Sequence, residues 1–139
     1  MEKKDKILNF IKKQNLCVIS TSNKNGKPES AVVAFSETDN LELIFGTFYT
    51  TRKYKNLQGN KNVSVVIGWD ADVGITVQYE GVAEEMKGRE LDSCRDINLK
   101  KNPYSKKYAF EKEQRYFKIK PKWIRYSDFE NNDIFEMNF

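Results

Sequence analysis

Two hydroxyl residues, Thr50 and Thr51, are followed directly by two basic residues, Arg52 and Lys53, within the stretch Gly46 to Asn60, GTFYTTRKYKNLQGN. The stretch begins with strand-forming residues and continues as a helix, so Thr51, Arg52 and Lys53 lie where a strand gives way to a helix. The first turn of a helix has backbone N–H groups without partners and a partial positive charge, and both attract anions. A hydroxyl, a guanidinium and an ammonium at this position therefore indicate a phosphate site.

A plainer interpretation of the same residues stays open at this point. Thr50 or Thr51 can serve only as a helix cap, with Arg52 and Lys53 on a solvated face, as in most short basic pairs. The phosphate-binding patterns GxGxxG and GxxxxGK[ST] do not occur in the chain. The local sequence alone does not decide between a phosphate site and a capped helix.

The composition restricts the chemistry further. The chain has 139 residues, of which 39% are hydrophobic and 32% charged, and this predicts one globular domain over residues 1–139. The absence of His excludes Ser-His-Asp hydrolysis, Cys-His proteolysis and HExxH metal sites. Two distant cysteines, Cys17 and Cys94, do not suffice for a Cys-rich metal site. We therefore expect no metal, and we expect an outside cofactor to carry any reaction.

The charge and hydropathy patterns predict the partners and the cellular location of the protein. The net charge of +4 is mild and the lysines are interleaved with acidic residues, so nucleic acid is not an expected partner. A nucleic-acid-binding barrel is a weaker alternative, because basic and aromatic residues alternate near Arg115 to Lys122. The N-terminal MEKKDKILNF lacks a long apolar core and no apolar run approaches about 20 residues, so we expect a cytoplasmic protein without a membrane partner.

Apolar periodicity and turn signals predict the elements that must position the Thr51 corner. Six strands are predicted, over residues 16–22, 29–36, 41–48, 62–69, 75–86 and 114–129. Helices are predicted over 2–14, 51–58 and 88–111, the last with a break at Pro103. Asn25-Gly26 predicts the turn of the first hairpin. Gly81 predicts a bulge in the strand over 75–86, and Pro121 predicts that part of the strand over 114–129 lies at an edge or bends. Strands in hairpins with helices at the ends predict a mainly β fold, an antiparallel barrel with peripheral helices.

The ordered motifs resemble the FMN-binding split β-barrel family named after pyridoxamine 5'-phosphate oxidase, and especially its short, general-stress-type members. The resemblance runs from about Leu16 to Glu85 through NKNGKPESAVVAF, LELIFGT, YTTRKYKNL, NVSVVIGW and ITVQYEGVAEE. It implies a six-stranded split barrel and a homodimer with flavin in the clefts between subunits. It also implies FMN as the cofactor, with FAD as the less favoured choice, and it strengthens the phosphate interpretation of the corner.

The resemblance assigns flavin-binding positions in three groups. The family's phosphate corner corresponds to Thr51, Arg52 and Lys53. The second strand and the end of the third border the flavin ring, at Ala31, Val32, Val33, Thr47 and Phe48. The positions implied as contacts from the partner chain are Thr76, Gln78 and Trp123.

Departures from the family pattern argue against vitamin B6 oxidation. Pyridoxamine phosphate oxidases place an Arg and a Lys on the second strand, where this chain has Ala31 and Ser36, and they use a C-terminal His that this chain lacks. We expect an oxidoreductase that passes electrons between a reduced nicotinamide cofactor and an unidentified small-molecule substrate, with no catalytic residue assigned. A non-catalytic flavin-binding redox sensor or carrier is the alternative, because a fold and a cofactor do not determine an activity.

Overall fold

A computed structural model describes residues 1–139 and has an open, curled antiparallel sheet flanked by helices. The helices are α1 (Lys3–Lys12), α2 (Arg52–Gly59), α3 (Gly88–Lys101) and α4 (Lys106–Ala109), with a 3-10 turn at Pro103–Ser105. The strands are β1 (Leu16–Ser22), β2 (Pro28–Ala34), β3 (Ser36–Glu37), β4 (Leu43–Phe48), β5 (Asn62–Ile67), β6 (Ile75–Glu85), β7 (Gln114–Asp128) and β8 (Asp133–Asn138). The sheet order is β2-β1-β5-β6-β7-β4-β3, and β8 pairs with β7. The predicted mainly β fold with peripheral helices is confirmed.

Six strands were predicted, whereas the sheet has eight. The predicted strand over 29–36 divides at the fully buried Phe35, because the chain leaves its pairing with β1 there and pairs with β4 instead. The second addition is β8, which forms a hairpin with β7 and packs Phe135 and Met137 against the core. Asn132 makes the turn before β8 with a φ of 51°, a conformation that Asn tolerates better than most residues.

Local backbone conformations shift some predicted boundaries. Leu41 has a φ of 63° and belongs to the turn, so β4 begins only at Leu43. Gly68, with a φ of 86°, ends the run of β5, and a Cβ there would lie 2.5 Å from the Phe10 ring and 2.7 Å from the carbonyl oxygen of Ile75. Trp69 therefore lies outside the strand that was predicted to contain it. The break predicted at Pro103 is confirmed.

The long strand β7 joins the two parts of the sheet. One edge of β7 pairs with β6 over 117–128, while the other pairs first with β4, over 114–119, and then with β8, over 123–128. Pro121 falls in the gap between these two partners, where its missing N–H costs no ladder hydrogen bond. Opposite it, the β6–β7 register shifts between Glu80 and Gly81, and a Cβ at Gly81 would approach the carbonyl oxygen of Lys120 to 2.4 Å. The irregularity predicted at Gly81 is confirmed, although the extra residue, Lys122, belongs to β7. Of the two alternatives predicted for Pro121, an edge or a bend, the structure has the unpaired edge.

The main core contains 21 buried residues and lies inside the curl of the sheet, beneath α1. Of its two tyrosines, Tyr79 is the more deeply buried, and its hydroxyl proton is shared between the carbonyl oxygens of Leu41 (2.7 Å) and Ile119 (3.1 Å). A smaller cluster under α3 contains Ile44, Cys94 and Tyr116. None of the helices is long and apolar enough to cross a membrane.

Candidate functional site

Thr51 determines where α2 begins. Its backbone is extended, and its hydroxyl oxygen accepts a hydrogen bond from the N–H of Tyr54 at 3.3 Å, as an N-cap does. The same hydroxyl donates to the carbonyl oxygen of Phe48 at 2.9 Å and lies 3.0 Å from the hydroxyl of Thr47. The end of β4 and the start of α2 are therefore joined by side-chain hydrogen bonds, and the helix cap that the sequence allowed is present.

Lys53 is the cation of this corner that has no protein partner. Its side chain is half-buried, and burial alone lowers its pKa, because desolvation disfavours the charged ammonium and no hydrogen bond or ion pair offsets it. Its backbone N–H lies in the first turn of α2, where N–H groups lack intrahelical acceptors. An anion at this position would satisfy both the ammonium and the helix terminus.

Arg52 differs from Lys53 because it already has a carboxylate partner. Its Nη1 atom donates to Oε2 of Glu29 at 2.5 Å, although the Arg52 side chain is 80% exposed. The Glu29 carboxylate also accepts from the side-chain amide of Asn56 at 2.9 Å, and Asn56 donates to the buried Thr21 hydroxyl at 3.0 Å. These hydrogen bonds, first that of Asn56 and then that of Arg52, lower the pKa of Glu29.

A pocket of about 200 Å³ brings part of the predicted site together. It is lined by Ile19, Thr21, Glu29, Ser30, Ala31, Arg52 and Lys53. Arg52 and Lys53 of the predicted phosphate corner thus share a cavity with Ala31, one of the residues predicted to border the ring, whereas Thr51 does not line it. Its volume suits a phosphate group, and the unpartnered ammonium supplies a matching charge, so the residues present fit the phosphate end of FMN.

Sequence reasoning missed Thr21 and Glu29 as residues of this pocket. They lie opposite each other in the β1–β2 hairpin. Their pair is four residues along the strands from the pair that Val33 forms with Cys17. The Asn25-Gly26 turn signal could have located them, because a hairpin turn determines the register of its two strands. No local sequence pattern indicates that these two residues form hydrogen bonds with α2.

The other predicted residues of β2 and β4 divide between the two faces of the sheet. Val33 packs against the core and Thr47 is buried, whereas Val32 points outward with 58% of its surface exposed. Phe48 is half-buried and meets the Tyr108 ring edge-on at a centroid distance of 6.1 Å. Of the three β2 residues predicted to border the ring, Ala31, Val32 and Val33, only Ala31 lines the pocket of Lys53.

Thr76, Gln78 and Trp123 lie on the outer face of the sheet and do not line the pocket of Lys53. The register connects Val32 to Val18, Val18 to Val66 and Val66 to Gln78, which places Gln78 three strands from β2, or roughly 14 Å. Trp123 donates its Nε1–H to Glu136 at 2.6 Å. Within one chain these three residues are therefore separate from the phosphate corner.

Apolar side chains are also exposed on this outer face. Trp69 and Phe129, 56% and 66% exposed, help to line a cavity of about 290 Å³ together with Val66 and Thr76. Contiguous exposed apolar surface is uncommon on an isolated protein and marks a surface for association. Thr76, predicted as a contact from the partner chain, lies in this apolar cavity.

The family model described as pyridoxamine 5'-phosphate oxidase matches residues 4–128 of the chain. Among curated relatives, the pyridoxine/pyridoxamine 5'-phosphate oxidase of Bordetella pertussis is 30% identical over 78 residues. These are 56% of this chain and 37% of the relative. The match therefore spans well under half the length of that enzyme.

Two solved structures share the fold. A heme binding protein from Mycobacterium smegmatis has a TM-score of 0.88 at 16% identity, with 99% of this chain and 58% of that protein covered. General Stress Protein 26 from Bacillus anthracis has a TM-score of 0.79 at 24% identity, with 99% and 100% covered. At these identities the similarity establishes the architecture, an open curled sheet consistent with a split barrel.

Proposed function

The chain belongs to the pyridoxamine 5'-phosphate oxidase family, and on this basis we propose that it is an FMN-binding flavoprotein that acts as an oxidoreductase. The observation that carries the proposal is the half-buried ammonium of Lys53, which has no counter-ion and lies in the first turn of α2. A phosphate monoester suits this corner because main-chain N–H groups and two cations are donors to phosphate oxygens, while the Thr51 hydroxyl donates to Phe48 and holds the corner in place. A terminal phosphate is also the reason to favour FMN over FAD.

The proposed role of β2 and β4 is to hold the flavin ring. β2 is an edge strand that pairs only with β1, so the main-chain groups on its other edge are free to hydrogen-bond a ligand. Ala31 offers a small side chain in the pocket wall, and Thr47, at the end of β4, contacts the Thr51 hydroxyl that begins the phosphate corner. When bound, FMN supplies the electron-transfer chemistry, while these residues bind and orient it.

We propose that a second copy of the chain completes the site. Thr76, Gln78 and Trp123 lie on the outer face, away from the pocket of their own chain. The same face exposes Val32, Trp69 and Phe129, which would be removed from water if two copies packed together. A homodimer would thus account for both the exposed apolar surface and the separated half of the site.

The proposed electron donor is a reduced nicotinamide cofactor, and the acceptor is a small molecule other than a vitamin B6 phosphate. Ala31 lacks the positive charge of the Arg that pyridoxamine phosphate oxidases are expected to have at this position. Ser36 stands at the position of their Lys, and it is buried with its hydroxyl donating to Asn98 at 3.1 Å under α3. The two second-strand cations of those enzymes are therefore not reproduced.

The experiment that tests the proposal is titration of the purified protein with FMN, FAD, riboflavin and hemin. We expect FMN to bind tightly with quenched fluorescence, and protein isolated with its ligand to be yellow and to release FMN on denaturation. Failure to bind either FMN or FAD would overturn the proposal. Hemin is included because of the Mycobacterium smegmatis protein, although this chain has no His to ligate iron and both of its cysteines are buried.

A second measurement separates an enzyme from a flavin-binding sensor or carrier. The bound FMN is reduced, and its reoxidation by candidate acceptors is compared with that of free FMN. An oxidoreductase should react faster than free flavin with at least one acceptor. If every acceptor reacts no faster with bound flavin, the non-catalytic alternative replaces the oxidoreductase.

A further inference from the structure

We propose that Glu29 is a built-in counter-ion that weakens the binding of phosphate at the pocket of Lys53 and thereby makes the site selective for phosphate ligands that also carry a ring. The inference rests on the proposed function, because it concerns the same site. It assigns a specificity-determining role to a residue that is not among the flavin-binding positions implied by the family resemblance.

The position of Glu29 is set by three elements. It lies on β2 opposite Thr21 of β1, and its carboxylate is held by Asn56 of α2, which is itself bonded to Thr21. Thr21 and Asn56 are both buried, and the Glu29 side chain is only 21% exposed. The carboxylate is therefore held within the pocket wall and is not a mobile surface charge.

This carboxylate forms an ion pair with one of the two cations that an incoming phosphate would bind. Arg52 is bonded to Glu29, whereas Lys53 has no partner. The ionisable groups that line the pocket are one anion and two cations, a net charge of +1. A phosphate must either take Arg52 from Glu29 or share it, and in both cases two like charges lie near the same guanidinium.

The consequence is discrimination among anions. A site with two free cations at a helix N-terminus would bind any phosphate monoester, including inorganic phosphate. With Glu29 in place, charge alone contributes less, and tight binding requires additional contacts along β2 from the remainder of the ligand. Selectivity of this kind arises when a binding site includes an element that disfavours the wrong ligands.

The test compares Glu29→Gln with wild type in binding FMN, riboflavin and inorganic phosphate. Gln retains the acceptor for Asn56 and removes the charge. We expect Glu29→Gln to bind FMN about tenfold more tightly, which corresponds to about 1.4 kcal/mol. Riboflavin affinity should be unchanged, and the dissociation constant of inorganic phosphate, measured without flavin, should fall by a similar factor. Glu29→Ala should change FMN affinity in the same direction, and thermal unfolding of each variant checks that the fold persists.

Glu84→Gln is the matched control, because Glu84 forms an exposed ion pair with Lys61 and loses the same charge outside this pocket. It should leave FMN affinity unchanged. Weaker or equal FMN binding by Glu29→Gln would overturn the inference, and weaker binding would assign Glu29 the opposite role of positioning Arg52. If neither wild type nor variant binds FMN, the proposed function fails and the inference fails with it, whereas wild-type binding without a gain in Glu29→Gln removes the inference alone.

Discussion

The hydroxyl oxygens of Thr47 and Thr51 lie 3.0 Å apart, and this contact joins the end of β4 to the residue that caps α2. Thr47 is buried in the protein and Thr51 is half-buried, so Thr47 is the more firmly held of the two residues. Because Arg52 and Lys53 follow immediately, the contact also determines where the two cations of the proposed phosphate site lie.

Replacing the cap should therefore reduce both stability and FMN affinity. Thr51→Ala removes the acceptor for the N–H of Tyr54 and should lower the free energy of unfolding by about 1 kcal/mol. Urea denaturation without FMN measures the first effect, and fluorescence titration with FMN measures the second. Thr51→Ser keeps the hydroxyl and should behave as wild type, so equal losses in Ser and Ala would assign the effect to the methyl group.

Lys53→Met should weaken FMN binding without affecting riboflavin. A hydrogen bond to a charged group contributes about 1.5–3 kcal/mol, so the dissociation constant should rise by roughly ten- to a hundredfold. Parallel fluorescence titrations with the two flavins measure the difference. Lys55→Met is the control, because Lys55 is exposed on the same helix and carries the same charge. Equal losses for FMN and riboflavin would place Lys53 away from the phosphate.

FMN affinity should decrease at alkaline pH because of Lys53. Burial lowers the pKa of Lys53 in the free protein, and a bound phosphate would raise it by favouring the charged form. Binding then takes up a proton once the pH exceeds the pKa of the free protein, so affinity falls as the pH rises further. Calorimetric titration in buffers of different ionisation enthalpy measures this uptake. The same uptake in Lys53→Met would assign it to another group.

Short-range signals predicted the parts of the site that depend on neighbouring residues. The cap at Thr51 and the break at Pro103 follow from local preferences for helix ends. The hairpin at Asn25-Gly26 forms as predicted, with Gly26 at a φ of 82°. β8 was not predicted because two apolar residues, Ile134 and Phe135, are adjacent and interrupt the alternation of apolar and polar residues. From Phe135 to Met137 the alternation is regular, but this part is short.

Long-range pairing could not be predicted from the same signals. Glu29 and Arg52 are separated by 23 residues, and their ion pair depends on where α2 packs relative to the β1–β2 hairpin. The sequence therefore indicated two equivalent cations, whereas only Lys53 is without a partner. The pairing of β7 with both β4 and β8 also depends on the curvature of the sheet, which no local pattern encodes.

Tyr79→Phe should destabilise the protein by about 1–3 kcal/mol, because it leaves two buried carbonyl oxygens without their donor. One of these belongs to Leu41, which the turn holds at a positive φ. Urea denaturation measures the loss. The control is Tyr126→Phe, a buried tyrosine whose pKa is raised by burial and nearby charges without any hydrogen bond. Equal effects of the two variants would contradict a specific role for the Tyr79 hydroxyl.

Charged residues on the outer face should disrupt the proposed homodimer. Trp69→Lys combined with Phe129→Lys places two ammonium groups in the apolar surface that a second copy would cover. Light scattering coupled to size-exclusion chromatography should show a dimer for wild type and a monomer for the double variant. Tyr104→Lys alters an equally exposed aromatic residue outside this cavity and should remain dimeric. A monomeric wild type would contradict the proposed assembly.

The position of β7 also determines when the protein can fold during its synthesis. Both β4 and β6 leave the ribosome before β7, and each then has an unpaired edge. Leu43 of β4 pairs with Ile119 of β7, so the pairing between the strands most distant in sequence forms only after most of the chain has been translated. Unpaired strand edges invite association between chains. The interval before residue 128 is released is therefore the stage at which the edges of β4 and β6 that later pair with β7 are open to association with other chains.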